Sequence, residues 1–349
     1  MGKAPRTLRR RRTSVLDRLL FFFGLFLIVT GIFGFYAVFI LSPVGPPDAA
    51  SRRLSIPARS TAAEIASLLR EEGLVRSDLA FRAFVRYKGF ESGLKAGEYE
   101  LSPALSTPAI VERLFLGRQA TQRFTVPEGY NTAQIAAILG KEGLVDPKAF
   151  LDEVATGRFS HPFLQALPQG PRRLEGYLFP DTYAVTRDLG PHRIIDCMLA
   201  RFAAESERLD LAAGAERVGL DLHQAVILAS LIEREARRDD ERRLISGVLH
   251  NRLRLGMPLQ VDATVLYALG RTAAYQVTLD DLKVDSPYNT YRITGLPPGP
   301  IANPGAASLA AAVNPARTPY LYYVAKPDGS HAFARTLEEH NRNKALYQR

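Results

Sequence analysis

The apolar positions of this chain follow more than one pattern. Over Leu19–Leu41, "LLFFFGLFLIVTGIFGFYAVFIL", they run on for 23 residues without a charge. At about 1.5 Å per residue that is enough to cross a hydrocarbon layer of about 30 Å. The run predicts a transmembrane helix. A cleavable signal peptide is the competing reading, but its apolar stretch is normally only about 7 to 15 residues, and "PPDAAS" is a poor cleavage site. Residues 42–53, "SPVGPPDAASRR", have no periodicity and read as a short extended linker.

Beyond the linker the apolar residues recur at i, i+3 and i+4. "IPARSTAAEIASLLREEGLV" (56–75) and "VPEGYNTAQIAAILGKEGLV" (126–145) align at an offset of 70, with seven identities in the last eleven positions. Each predicts a short strand, a Ser, Thr or Asn N-cap, and a helix ending at a left-handed glycine, Gly73 or Gly143. A second helix follows in both copies, and "KAGEYELS" returns as a strand in the first, giving strand, helix, helix, strand.

Past residue 160 the pattern becomes that of one larger mixed unit. "DLHQAVILASLIEREA" and "DDERRLISGVLHNRLRLG" predict helices, the second capped by Asp239 or Asp240 and stopped by Gly256. "PYLYYVAKPDGSHAFA" predicts a hairpin around Pro-Asp-Gly, and "LEEHNRNKALYQR" a terminal helix. Helices with interspersed short strands give an α+β class.

Charge alters this picture only at the N-terminus. The chain carries +9, yet residues 1–18 hold seven basic side chains against Asp17, so the rest is nearly ordinary and nucleic-acid binding is not expected. Basic residues ahead of a span set the N-terminus inside and the remainder outside. Cys197, the one cysteine, reads as a buried, inert thiol, and the six scattered histidines make no metal pattern, so a zinc or haem site is not expected.

Candidate chemistry gathers where the apolar run "AVILASLI" (225–232) meets charge at Glu233. A carboxyl withdrawn from water there is pushed toward the pKa of a general acid. The bland alternative is an i, i+4 ion pair with Arg237; Glu235, on another face beside Asp239, reads as a solvated helix charge. "LEGYLFPDTY" (174–183), "PYNTY" (287–291) and "GLPPGPIANPG" (295–305) add aromatic faces and amides suited to a polar, ring-shaped ligand. Taken singly, Asn289 can simply close a turn, the tyrosines can simply pack, and Asp181 or Asp262 can cap helices.

In order behind an N-terminal apolar helix, "LEGYLFPDTY", "ASLIEREA", "NRLRLGMPLQVDATVLYALG", "YNTYRITGLPPGPIANPG" and "PARTPYLYYVA" closely resemble the MltG-type, or YceG-like, endolytic murein transglycosylases. The resemblance runs from about Leu54 to the end and is strongest over 174–325. It implies a bacterial inner-membrane lyase that cuts the bond between N-acetylmuramic acid and N-acetylglucosamine in nascent peptidoglycan strands, leaving a 1,6-anhydromuramyl end. A hydrolytic muramidase and a non-catalytic wall-binding scaffold are the alternatives. The domains it implies are a cytoplasmic segment 1–18, the span 19–41, the linker 42–53, a LysM-like module 54–123 and a catalytic domain 124–349 with a lysozyme-like cleft. It assigns catalysis to Glu233 and cleft positions to Glu175, Tyr177, Gln260, Asp262, Tyr288, Asn289 and Tyr291. Where relatives often carry tryptophans, this chain has Tyr177, Phe179 and Tyr183. Glycan strands, the membrane and the synthases that polymerise the strands are the implied partners.

Overall fold

A computed structural model describes residues 15–165, 167, 170–187, 189–271 and 276–347, so the basic residues before the span lie outside the described side chains. The chain divides into two compact units, Met1–Ala120 and Thr121–Arg349.

In the first unit, helix α1 (Val15–Leu41) is long and apolar enough over Leu19–Leu41 to cross a membrane, and none of that stretch is buried by protein. Strand β1 (Arg52–Ile56) leads to α2 (Ala62–Glu71) and α3 (Asp78–Lys88), and β2 (Gly97–Leu101) returns antiparallel to β1 with Leu54 opposite Tyr99. A further helix, α4 (Thr107–Leu116), which the sequence pattern did not predict, closes the unit by burying Ile110, Val111 and Leu114 against Ile65, Leu69, Phe81 and Tyr99. The segment 42–53 is not a free tether, because the Val44 and Gly45 N–H groups both donate to Pro103 O and Arg76 reaches Pro43 O at 2.6 Å.

The second unit begins with the repeat of that motif. Strand β3 (Gln122–Thr125), α5 (Thr132–Lys141) and α6 (Pro147–Thr156) are followed, after a turn at Pro162–Leu164, by β4 (Thr182–Val185), which pairs antiparallel with β3. The duplication extends to the caps. Thr61 with Glu64 starts α2 and Asn131 with Gln134 starts α5, each side chain accepting from the backbone of its partner and returning a bond to it. Gly73 and Gly143 follow the two helices at φ +66° and +65°, a conformation that costs glycine little.

Next come α7 (Gly190–Arg208), α8 (Leu211–Arg217), α9 (Leu222–Glu235), α10 (Arg242–Arg254), α11 (Asp262–Ala268) and α12 (Ala306–Val313). The hairpin β5 (Tyr322–Ala325) and β6 (His331–Ala334) and the terminal α13 (Leu337–Tyr347) complete the unit. Helix α9 is central. Asp221 and Gln224 form its capping box, Ala225 to Ile232 are all buried, and α8, α10, α11 and α12 pack around it. The α+β class therefore holds, with three two-stranded antiparallel sheets among the described residues.

Two local expectations change. Cys197 is exposed, because α7 buries the sector holding Ile194, Ile195, Met198, Leu199 and Phe202 and position 197 falls outside it. Helix α10 starts at Arg242 after a short 3-10 turn over Asp239–Glu241, so neither aspartate caps it.

Gly176 fixes how the proline-rich loop meets α9. It sits at φ +87°, and a Cβ there would lie 2.6 Å from Pro300 Cβ and 2.9 Å from Val226 Cγ1. Gly176→Ala combines left-handed strain with overlap in a packed core, and is expected to cost about 2 kcal/mol in denaturant unfolding at unchanged m-value.

Candidate active site

The last turn of α9 sends consecutive side chains in directions about 100° apart. Glu233, Arg234 and Glu235 therefore end in different surroundings.

The Glu233 side chain is 7% exposed. Its Oε2 accepts the Gly305 N–H at 3.1 Å, at the start of α12, and its Oε1 lies 3.4 Å from Arg242 Nη2. Arg242 in turn donates to Ser308 Oγ at 3.0 Å and pairs with Asp239. The ion-pair partner is thus Arg242 rather than Arg237. Glu128, from the turn before α5, brings a second carboxyl close by; burial, then the Glu233 charge, raise its pKa while Arg242 opposes. A Cβ on Gly305 would overlap the Glu128 carboxyl, so glycine leaves room for this pair. These contacts tie α9, α10 and α12 together. Arg234 donates to Gly129 O at 3.2 Å.

Glu235 is not a solvated helix charge. It lines a cavity of about 400 Å³ together with Gln260, Asp262, Tyr291 and Tyr323. Burial, followed by the charge of Asp262, pushes its carboxyl up to about 7, while a Tyr323 hydroxyl hydrogen bond and the charges of Arg234 and Arg237 act in the other direction. The same burial raises Tyr323 well above the usual phenol range. Asp262 accepts the Tyr291 hydroxyl, which orients its carboxylate along the same wall.

That wall is assembled from segments far apart in sequence. The Gln260 N–H donates to Thr290 O at 3.1 Å, the Val261 N–H to Thr290 Oγ1 at 2.9 Å, and the Thr264 and Thr290 hydroxyls meet at 2.9 Å. Gln260 takes φ +54°, a conformation rare outside glycine, which turns the chain into the cavity. Arg252, buried on α10, donates to Leu321 O at 2.6 Å, to Pro258 O and Leu259 O at 3.0 Å each, and to Gln260 Oε1 at 3.1 Å. One guanidinium thus joins the loop before α11 to the entry of β5, whose next residues are Tyr322 and Tyr323.

Of the residues expected in a cleft, Gln260, Asp262 and Tyr291 converge on Glu235. Others do not. Tyr177 is a core residue, 1% exposed, stacked with Phe163 and bonded to His223 Nδ1 at 2.8 Å. Asn289 is wholly buried and closes a turn, its amide donating to Leu282 O and Val284 O and its Oδ1 accepting the Tyr291 N–H. Glu175 is buried as a hub, accepting from the Thr132 N–H at 2.9 Å, Asn303 Nδ2 at 3.2 Å and the Tyr267 hydroxyl at 3.1 Å, with burial raising it to about 7. Tyr288 packs on Tyr267 and beneath Arg172, in a separate recess beside Pro298 and Pro300. Glu128, Tyr323 and Arg252 were not singled out from the sequence, and Glu235 was set aside there as a solvated helix charge. The one available signal was Arg252, a charge set on a helix among buried positions.

Comparisons with known proteins converge on one family. The YceG-like family profile matches residues 54–346. The endolytic murein transglycosylase of Bacillus subtilis strain 168 is 37% identical over 92% of this chain and 91% of its own length. The endolytic murein transglycosylase of Streptococcus pneumoniae strain D39 is 34% identical over 90% of this chain, which spans 62% of that longer protein. A crystal structure of a yceG-like protein from Listeria monocytogenes superposes with a TM-score of 0.53 at 34% identity, covering 84% of this chain and 99% of that one.

Proposed function

The chain belongs to the YceG-like family, and from that membership and the cavity around Glu235 we propose that it is a peptidoglycan lytic transglycosylase whose acid/base is Glu235. The observation that carries the residue assignment is the meeting of a proton-holding carboxyl with a ligand-sized, tyrosine-lined groove; Glu233, by contrast, is engaged by Arg242 and the Gly305 N–H. Protonated Glu235 donates to the oxygen between N-acetylmuramic acid and N-acetylglucosamine. As a carboxylate it then takes the proton of the muramyl C6 hydroxyl while that oxygen attacks C1. The bond to the leaving sugar breaks, a 1,6-anhydro end forms and no water is consumed. The Asp262 carboxylate, held by Tyr291, faces the positive charge that develops on the ring.

The family and the N-terminal apolar helix support a wider reading. Helix α1 anchors the chain in the bacterial inner membrane with the N-terminus in the cytoplasm, and the groove works on the outer side as a lysozyme-like cleft. The strand, helix, helix, strand unit acts as a LysM-like module, and attachment places cutting beside the synthases that extend new strands.

Full-length protein in detergent, given uncrosslinked glycan strands, is expected to leave muramyl ends lighter by one water than reducing ends. Reducing ends instead would favour a muramidase in which Asp262 activates water. No cut ends, with strands still bound, would leave a scaffold. Because the first step needs the protonated acid, kcat/KM is expected to fall as pH rises through about 7. A pH profile flat from 5 to 8, read on the same strands, would rule out Glu235 as that acid.

A further inference from the structure

Helix α13 buries none of its residues, yet it packs along the β5–β6 hairpin and forms the cavity wall with His340, Asn341 and Lys344. Positions 340, 341 and 344 share a helix face, so three polar groups line the cavity rim together, Asn341 and Lys344 remaining exposed. Lys344 has no carboxylate partner among the described residues, whereas Arg342 on the same helix pairs with Glu338. His340 stacks on Tyr322 with centroids 5.2 Å apart, and its Nδ1 is buried without a hydrogen-bond partner. The cavity is therefore bipolar, with Glu235 and Asp262 among its lining groups and an unpaired ammonium, an amide and an orphaned ring nitrogen supplied by α13.

A cation without a carboxylate partner on the wall of a groove read as holding glycan is placed to meet an anion borne by the glycan. The sugar backbone of peptidoglycan offers neutral hydroxyls and acetamides, and its charge is carried by carboxylates attached to the muramyl residue. We propose that Lys344, with Asn341 and His340, forms a subsite for a muramyl-borne carboxylate and so makes the groove selective for substituted muramic residues. This rests on the transglycosylase reading of the same cavity. Two sources carry the required chemistry: the lactyl group of a stripped residue and the peptide stem of an intact one.

The test uses full-length protein and uncrosslinked strands that are stem-bearing or amidase-stripped, each also with its carboxyls converted to methyl amides. Lys344→Met is expected to lower kcat/KM about fivefold, through KM, on the carboxylate form that is recognised. It should leave rates on the amidated form unchanged, and Lys344→Arg should restore most of the loss. The strand type that shows the loss identifies the source. An equal loss on amidated strands, or no loss on any, overturns the proposal. Should the variant unfold, the wild type must still prefer carboxylate over amidated strands by about the same factor, and equal rates would overturn it. Should the wild type cut nothing, the catalytic reading fails by itself. Strand binding must then still weaken on amidation for the subsite to stand.

Discussion

Glu235→Gln is expected to reduce turnover on glycan strands by about three orders of magnitude while leaving the protein folded, since removing a positioned general acid costs about 10²- to 10⁴-fold. Glutamine keeps the shape of the protonated acid and can still accept from Tyr323, so the cavity should persist. The variant also carries a pH signature. A carboxyl raised from 4.5 to about 7 in the fold favours the native state most below its unfolded value, and that contribution is lost as pH rises through about 7. Wild-type melting temperature should therefore decline more steeply between pH 5 and 8 than that of Glu235→Gln, with Glu175 contributing equally to both. Glu233→Gln should behave in the opposite way, keeping most of its turnover but losing stability, because Arg242 then faces a neutral amide. If Glu233→Gln abolishes cutting and Glu235→Gln does not, the acid is Glu233, as the family motif suggests.

The two glutamates show where sequence reading stops. Helix α9 was legible, because an apolar run with an Asp221 cap and charge at its end has few other ways to fold. The repeated strand-helix-helix motif was legible too, down to Gly73 and Gly143, since caps and left-handed glycines are local signals. Periodicity says that Glu233 and Glu235 leave α9 on different faces. It does not say what meets each face, because Tyr323 arrives from a hairpin and Asp262 from the next helix but one, whereas Arg242 reaches back from α10. For the same reason Tyr177 and Asn289 read as cleft residues. An aromatic or an amide has one composition whether it lines a groove or seals a core, and only the positions of His223, Leu282 and Val284 decide between them.

Arg252→Met should be among the most destabilising single changes in the second unit, costing about 4 kcal/mol. Arg252 is 6% exposed, with no carboxylate paired to it among the described residues. Burial lowers its pKa, and what holds the charge in place is the set of acceptors at Pro258, Leu259, Gln260 and Leu321, together with the Tyr322 ring 4.9 Å away. Methionine fills the volume but leaves those carbonyls without their shared donor. Arg252→Lys should recover only part of the loss, since one ammonium cannot span acceptors on two segments as a planar fork does. Gln260, released from Arg252, would relax from φ +54°, and β5 would lose its tie to the loop before α11. Activity should then fall beyond what the unfolded fraction explains, through Tyr323 and Asp262 drifting from Glu235. Urea midpoints at constant m-value measure the first effect, and kcat on the folded fraction measures the second. A variant within about 0.5 kcal/mol of wild type, or one with unchanged kcat, would show that the groove does not depend on this side chain.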